Sequence, residues 1–372
     1  MQWNKARLGG IALGVGLLLG GASSMSVAAG ESAGHAYAPH LRPVSRIAET
    51  MIAIPSNGAA AEQDKPDGAA MLPVYLSRDW TKPQPDVVRA IIVIHGKLRN
   101  ADRYFETAQT AEREAAKGGA NVAGTILIAP QFLATIDFGM RALPDNVLRW
   151  DANGWMAGEA AVAPRPISSY SALDAIIARL ADRTRFPALR EVVIVGHSGG
   201  AQVVQRYAIA AHDLGVLATE HIDVRYVVSS PSSYAYFNKE RPTANHGFGP
   251  FEASACPGYD DWKYGMSRRP AYLADRSVAQ LEATYASRHV FYLVGGNDDD
   301  PTQAALDRSC SAEAQGSERV ARATAYFAYM QARHPQGLTQ SLHIVPGVGH
   351  NGARMLTSVC AIDAMYDTGE CR

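Results

Sequence analysis

The sequence lacks a marked excess of charge of either sign. Its 372 residues carry 35 Lys and Arg against 36 Asp and Glu, which leaves a formal net charge of −1. It also lacks a basic run of the kind that binds phosphate backbones or anionic lipid surfaces. We therefore expect neither a nucleic acid nor an anionic membrane surface among its partners.

Long apolar runs are missing except near the start of the chain, at residues 8–19. Lys5 and Arg7 precede this run, and the small residues 27–29 follow it, which is the layout of a secretory signal peptide. The run is too short for a comfortable membrane span, although an uncleaved anchor is the alternative. We expect a signal peptide over residues 1–29, no membrane span, and a secreted or periplasmic protein.

Cysteine is scarce, and its four positions contain no Cys-x-x-Cys pair. Because that spacing is typical of structural zinc sites, its absence disfavours metal binding, and we expect neither a metal nor a cofactor. An even number of cysteines in an exported protein favours disulfides, with three possible pairings. We expect Cys360–Cys371, which fastens the tail, and Cys256–Cys310, which joins two distant segments.

No internal repeat is visible, but strand and helix patterns alternate after an irregular lead-in over residues 30–71 that is rich in Ala, Pro, Gly and Ser. Strands are predicted at 73–77, 90–94, 125–129, 192–195, 224–228, 289–294 and 342–345, and helices at 102–117, 169–180, 317–333 and after Gly200 and His350. Such alternation predicts an α/β domain over residues 72–372, with a mostly parallel sheet covered by helices on both faces.

Two stretches, at about 131–166 and 229–287, do not fit the alternation. Both leave from the carboxyl ends of predicted strands, where ligands bind in open α/β sheets, and loops of this length usually serve as lids or binding loops. We interpret them as cap-like insertions that form walls over a site. Their tryptophans Trp150, Trp155 and Trp262 are candidate substrate-binding residues, with packing as the alternative for each.

The sequence Gly196-His197-Ser198-Gly199-Gly200 directly follows the apolar, β-branched run 192–195 and precedes a helical pattern. The Gly-x-Ser-x-Gly pattern between a strand and a helix is that of a nucleophile elbow, a sharp turn that lifts a serine hydroxyl clear of the sheet. A glycine-rich turn that merely contains a serine is the alternative. In this context we interpret Ser198 as a nucleophile.

A serine nucleophile needs a base and an acid that orients the base, and in an elbow these follow in the order serine, acid, histidine. His350 follows the last predicted strand and is the candidate base. Asp298 follows the preceding strand and is the first candidate acid, with Asp300 and then Asp299 as alternatives. The remaining aspartates would cap the next turn, and a calcium site in this acidic loop is a further alternative.

Developing negative charge on the substrate needs backbone donors aimed at it. One donor is expected to be the amide of Gly199, the residue after the nucleophile. The other is expected from the loop after His95-Gly96, either the amide of Lys97 or, as an alternative, that of Leu98.

In their order along residues 72–360, His95-Gly96, the 196–200 elbow, the Gly-Gly-Asn-Asp loop at 295–298 and Gly349-His350 resemble the α/β-hydrolase superfamily. The resemblance implies an eight-stranded, mostly parallel sheet with an antiparallel second strand, and acyl transfer to water through an acyl-enzyme. The chain departs from the lipase-type pattern because no glycine run follows His95, which argues against long-chain triglycerides as substrates.

We therefore expect an exported serine esterase acting on a small-molecule or polymeric ester. A peptidase or amidase with the same triad is the first alternative, because the triad itself does not encode which bond is cleaved. A non-catalytic binding protein on the same fold is the second.

Overall fold

The computed structural model describes residues 41–55, 69–139, 142–212, 214–245 and 247–371. The expected signal peptide at 1–29 lies outside the described residues. Within these ranges, no helix has both the length and the apolar character needed to cross a membrane.

Strands and helices alternate through most of the described chain. The strands are β1 (Met51–Ile54), β2 (Ala70–Leu76), β3 (Arg89–Ile94), β4 (Thr125–Pro130), β5 (Glu191–His197), β6 (Asp223–Ser229), β7 (Glu240–Pro242), β8 (Phe248–Pro250), β9 (His289–Gly295) and β10 (Gln340–Val345). The helices are α1 (Ala101–Lys117), α2 (Ser169–Leu180), α3 (Gly199–Ala210), α4 (Leu214–Thr219), α5 (Val278–Ala286), α6 (Cys310–Glu313), α7 (Arg319–Arg333), α8 (Gly352–Leu356) and α9 (Val359–Tyr366).

The main sheet has eight strands in the order β1-β2-β4-β3-β5-β6-β9-β10, and β7 and β8 form a separate two-stranded sheet. From β4 to β10 every neighbouring pair is parallel, whereas β2 runs antiparallel to both of its neighbours. The predicted eight-stranded, mostly parallel sheet with a reversed second strand is therefore confirmed.

The central strands are buried on both faces, which explains their continuous apolar sequences. In β3, Ile92 and Ile94 belong to the core shared with α2, α3, α5 and α7, whereas Ile91 and Val93 belong to the core shared with α1, α8 and α9. Because successive side chains of a strand point to opposite faces, this division places helices on both faces of the sheet, as predicted.

The lead-in expected over residues 30–71 is not irregular throughout. Residues 51–54 form the edge strand β1, which pairs with β2 so that Ile54 lies opposite Ala70. Ile52 and Ile54 are buried, and their neighbours are half-buried. Four residues of alternating burial are too short to give a clear periodic signal in the sequence. The sheet therefore begins upstream of the expected boundary at residue 72.

The aromatic residues of the 229–287 insertion closest to β6 pack in the core, and the interpretation of this insertion as walls over a site is wrong for these residues. The Tyr234 ring stacks on Tyr326 of α7 at 4.6 Å between centroids, and Tyr236 lies 4.6 Å from Tyr329. Tyr234 and Tyr236 are fully buried. Because α7 packs on the sheet, its buried side chains form an apolar surface, and the rings of Tyr234 and Tyr236 cover that surface.

Both disulfides connect the pairs expected from the sequence. Cys256–Cys310 joins the 229–287 insertion to the start of α6, and Cys360–Cys371 joins α9 to the tail. The second pair is separated by 11 residues. In the chain-entropy model, closing a loop of this size stabilises the fold by about 3 kcal/mol.

A buried ion pair joins three segments near the end of β3. The guanidinium of Arg99 donates to both carboxylate oxygens of Asp137, at 2.7 and 3.0 Å, and neither side chain is exposed. Asp137 also accepts hydrogen bonds from the amides of Val44 and Ala134. The pair thus holds the loop after β3, the 131–166 insertion and the chain before β1 in one arrangement.

Asp137→Asn is expected to lower the free energy of unfolding by about 3–5 kcal/mol, because it leaves the Arg99 charge buried without its partner. Urea unfolding at neutral pH measures the change. The control is Glu114→Gln, which breaks an exposed ion pair with Lys117 at 2.7 Å and is expected to change stability by less than about 1 kcal/mol. Equal effects of the two substitutions would contradict this role of Asp137.

Candidate active site

Ser198 lies in the turn between β5 and α3 with a left-handed backbone, φ 58° and ψ −118°. Two glycines make this turn possible. A Cβ on Gly196 would overlap the backbone of Gly200, and a Cβ on Gly200 would overlap the carbonyl oxygen of Ile94. The strand, the crowded glycines and the strained serine together have the geometry of a nucleophile elbow.

The loops after β9 and β10 bring an acid and a base to Ser198. His350 Nε2 lies 2.9 Å from Ser198 Oγ, and His350 Nδ1 lies 2.8 Å from Asp298 Oδ2. Since ionised Asp298 only accepts, Nδ1–H donates to the carboxylate and Nε2 is left to accept the serine proton. Hydroxyl, imidazole and carboxylate thus form one hydrogen-bonded chain, the arrangement that activates a serine for attack on a carbonyl carbon.

Of the three consecutive aspartates, it is Asp298 that contacts His350. Its side chain is buried, whereas Asp299 and Asp300 are exposed. Asp300 accepts hydrogen bonds from the amide and hydroxyl of Thr302, at 2.8 and 2.7 Å, and so holds the following turn.

A fourth group, Arg319, binds the other oxygen of Asp298, and no sequence pattern selects it. Arg319 is the first residue of α7 and is 1% exposed. Its guanidinium lies 3.0 Å from Asp298 Oδ1 and also donates to Ser232 Oγ and the Ala305 carbonyl oxygen. The contact joins residues 21 positions apart, and because it depends on the packing of α7, no local pattern indicates it.

The surroundings of Asp298 and His350 set the charge of each. Burial alone would raise the pKa of Asp298, but the hydrogen bond from His350 and the charge of Arg319 lower it below its usual value. Burial also lowers the pKa of His350, against the opposing effect of Asp298, and the positive charge of Arg319 lowers it further. At neutral pH this combination favours an ionised Asp298 and a neutral His350 that is ready to accept a proton.

The two expected oxyanion donors lie side by side. A Cβ on Gly199 would lie 2.8 Å from the Lys97 amide nitrogen and 2.9 Å from Met156 Sδ. Neither the Gly199 nor the Lys97 amide donates a hydrogen bond to another residue in the described part of the chain. Leu98, the alternative donor, is exposed.

His95 fixes the loop that carries Lys97. The Phe132 amide donates to His95 Nε2 at 2.9 Å, so the proton is on Nδ1, which donates to the Gly96 carbonyl oxygen at 2.8 Å. The ring is fully buried, and burial lowers its pKa to about 4. His95 is therefore neutral and structural at neutral pH.

His197 precedes Ser198, and within the described residues its ring makes no hydrogen bond to the Ser198 hydroxyl. Its Nδ1 lies 3.3 Å from the Tyr104 hydroxyl, and its ring packs against His350 with 4.6 Å between centroids. Burial lowers its pKa well below the usual value, so a neutral ring supports His350 from the side.

The interpretation of Trp150 and Trp155 as substrate-binding residues is wrong, because both are completely buried. They pack around Phe132, with Trp155 stacked on that ring at 5.7 Å and Trp150 edge-on at 5.4 Å. Trp262 is partly exposed, and its Nε1 donates to the Ala157 carbonyl oxygen at 2.6 Å. This bond joins the two insertions beside Met156.

Potential metal ligands meet outside this site, at His343, Cys360 and Cys371, whose ligand atoms lie within 4.8 Å of one another. Both sulfurs are already joined in the Cys360–Cys371 disulfide, so they are not thiolate ligands.

Comparison with known proteins agrees with the fold. No family model and no curated protein sequence matches the chain. Among solved structures, poly(aspartic acid) hydrolase-1 from Sphingomonas sp. KT-1 is 20% identical with a TM-score of 0.55, covering 80% of this chain and 94% of that one. LpqC, a poly(3-hydroxybutyrate) depolymerase from Bordetella parapertussis, is 18% identical with a TM-score of 0.54, covering 82% and 88%. The chain has the fold of the α/β-hydrolase superfamily, as the sequence resemblance implied.

Arg319→Gln is expected to raise the pKa of His350, because the Arg319 charge disfavours the imidazolium. In the unchanged protein, NMR titration of the His350 ring should give a pKa below the usual value for histidine, because burial lowers it. Arg319→Lys, which keeps the charge, and Arg354→Gln, which removes an exposed one, are controls expected to shift it less. An unchanged or lower pKa in folded Arg319→Gln protein would contradict the electrostatic role of Arg319.

Proposed function

We propose that this protein is an exported serine hydrolase that cleaves carboxylic esters through an acyl-enzyme on Ser198. The observation that carries the proposal is the hydrogen-bonded chain from Asp298 through His350 to Ser198, with links of 2.8 and 2.9 Å. A binding protein on the same fold would have no need for this chain or for the strained backbone at Ser198.

The geometry supports a two-step acyl transfer. Ser198 Oγ attacks the carbonyl carbon while His350 Nε2 takes the serine proton, and Asp298 stabilises the resulting imidazolium. The amides of Gly199 and Lys97 donate to the tetrahedral oxyanion. His350 then returns the proton to the leaving alcohol, and a water molecule, activated by the same imidazole, hydrolyses the acyl-enzyme.

Carboxylic ester cleavage is the proposed reaction, and amide cleavage is the alternative. The two solved structures described above are hydrolases of a poly(3-hydroxybutyrate) and of a poly(aspartic acid), which are a polyester and a polyamide. Both bond types therefore occur among proteins of similar fold, and a peptidase or amidase with the same triad is the alternative. A small-molecule or polymeric ester is the proposed substrate, and Trp262 is a proposed contact for it.

Export is part of the proposal and has two supports. Residues 5–29 carry the charged, apolar and small-residue segments of a signal peptide. All four cysteines form disulfides, which persist in oxidising compartments. Both support a secreted or periplasmic location.

Ser198→Ala is expected to lower kcat/KM for a short p-nitrophenyl ester by at least about 10⁴-fold, because it removes the nucleophile. The same substitution should abolish labelling by a fluorophosphonate probe. Ser287→Ala, at an exposed serine, is the matched control and should retain both the ester turnover and the labelling. Failure of the unchanged protein to label, or equal labelling of the Ser198 variant, would remove the nucleophile assignment.

A second comparison separates esterase from amidase. The unchanged protein should turn over the p-nitrophenyl ester rapidly and a peptide p-nitroanilide slowly. Rapid anilide cleavage with little ester turnover would favour the amidase and overturn the assignment to esters.

A further inference from the structure

Two lysines lie beside the candidate oxyanion site, and the first is Lys97 itself. Its amide nitrogen packs against Gly199, so its side chain begins next to the nucleophile. The side chain is half-buried, and burial lowers its pKa, with Asp307 acting in the opposite direction. Within the described ranges its ammonium contacts no carboxylate. Lys97 therefore places a charge at the site that no contacting protein group neutralises.

The second lysine is Lys263, and the charge of Lys97 acts on its pKa. Its ammonium lies 3.3 Å from Asp307 Oδ2. Burial lowers its pKa, the charge of Asp307 opposes this, and the charges of Arg206 and Lys97 lower it further. Its neighbour Trp262 bonds to the Ala157 carbonyl, next to the Met156 that contacts Gly199. The Lys263 carbonyl oxygen accepts a hydrogen bond from Arg206, which also bonds to the Met156 carbonyl oxygen, so Lys263 lies near the place where Met156 and Lys97 approach Gly199.

Arg206 adds a third positive charge in the same place. It is completely buried on α3, and its side chain hydrogen-bonds to Lys263 O, Met156 O, Gln202 Oε1, Ser233 O and Ser233 Oγ. All of these acceptors are neutral. A buried guanidinium without a contacting carboxylate is costly unless another charge compensates it.

The carboxylates nearby do not balance these charges. Burial opposes ionisation of Asp307, but the charge of Lys263 and neighbouring hydrogen-bond donors lower its pKa to about 2. Asp307 is thus ionised and is occupied by Lys263 and by the Tyr264 hydroxyl at 2.8 Å. Glu159 is exposed, and burial of part of its side chain and the charge of Asp151 raise its pKa, against the opposing charge of Lys263. Among the described residues, Asp307 is therefore the one carboxylate that contacts any of Lys97, Lys263 and Arg206.

We propose that the site is selective for esters that carry a carboxylate, which Lys97 and Lys263 bind beside the scissile bond. The substrate anion adds a negative charge to this group of cations, in which Asp307 contacts Lys263 and, among the described residues, no carboxylate contacts Lys97 or Arg206. Because the groups are partly withdrawn from water, the attraction is stronger than between exposed charges. The proposal rests on the proposed hydrolase function and specifies its substrate class.

Two matched pairs of esters test the selectivity, since each pair differs by one charge. On the alcohol side, 4-acetoxybenzoate is compared with 4-acetoxybenzamide. On the acyl side, monomethyl adipate is compared with the methyl ester of adipic acid monoamide. We expect the kcat/KM ratio of anionic to neutral ester to reach about tenfold or more in at least one pair, and to fall as salt is added.

Two substitutions should lower the ratio of anionic to neutral ester turnover, and a third should raise it. Lys97→Met and Lys263→Met each remove a cation and should lower the ratio several-fold, whereas Asp307→Asn removes the competing anion and should raise it. Lys117→Met, on the exposed surface of α1, is the control and should leave it unchanged. Both esters of a pair are assayed with the same protein sample. A general loss of activity or of folded protein therefore cancels in the ratio of their kcat/KM values.

A ratio near one in both pairs, or one that none of the three substitutions alters, overturns the selectivity while leaving ester hydrolysis intact. Hydrolysis of neither pair by protein that still labels with the fluorophosphonate overturns it as well. Absent labelling, by contrast, contradicts the proposed function itself.

Discussion

The left-handed backbone at Ser198 is the constraint on which the site depends. A residue with φ 58° and ψ −118° stores about 1–3 kcal/mol of strain and persists only where its surroundings enforce it. Here β5 and α3 meet too closely for side chains at Gly196 and Gly200. The close packing around this turn holds Ser198 in its strained backbone conformation. The result is a hydroxyl held at the carboxyl end of the central strand.

The other elements of the site follow from the topology of the sheet. Because β3, β5, β9 and β10 are parallel, the loops that leave their carboxyl ends gather at one edge, around Ser198. Two buried ion pairs then fix those loops. Arg99–Asp137 holds the loop that carries Lys97, and Asp298–Arg319 holds Asp298 against His350. The second pair places a cation at the first turn of a helix, where the helix dipole disfavours it. We attribute that placement to the bond with Asp298.

Local patterns were sufficient to predict the parts that depend on neighbouring residues. The β-branched run before Gly196 predicts a buried strand, and the glycines predict the turn, because both requirements act within a few positions. Arg319 and Asp137 could not be predicted, since each acts on a partner more than 20 residues away through tertiary packing. Trp150 and Trp155 were misinterpreted for the same reason: a tryptophan in an irregular segment has the same sequence signal whether it faces solvent or Phe132.

The central claim is that Ser198 carries the acyl group during turnover. The most direct measurement is rapid acid quenching of the protein during turnover of p-nitrophenyl acetate, followed by peptide mass mapping. The account predicts one acetyl group, on the peptide that contains Ser198, with the amount rising to a steady level as p-nitrophenol is released. Turnover without any acetylated peptide, or with acetylation confined to another residue, would contradict it.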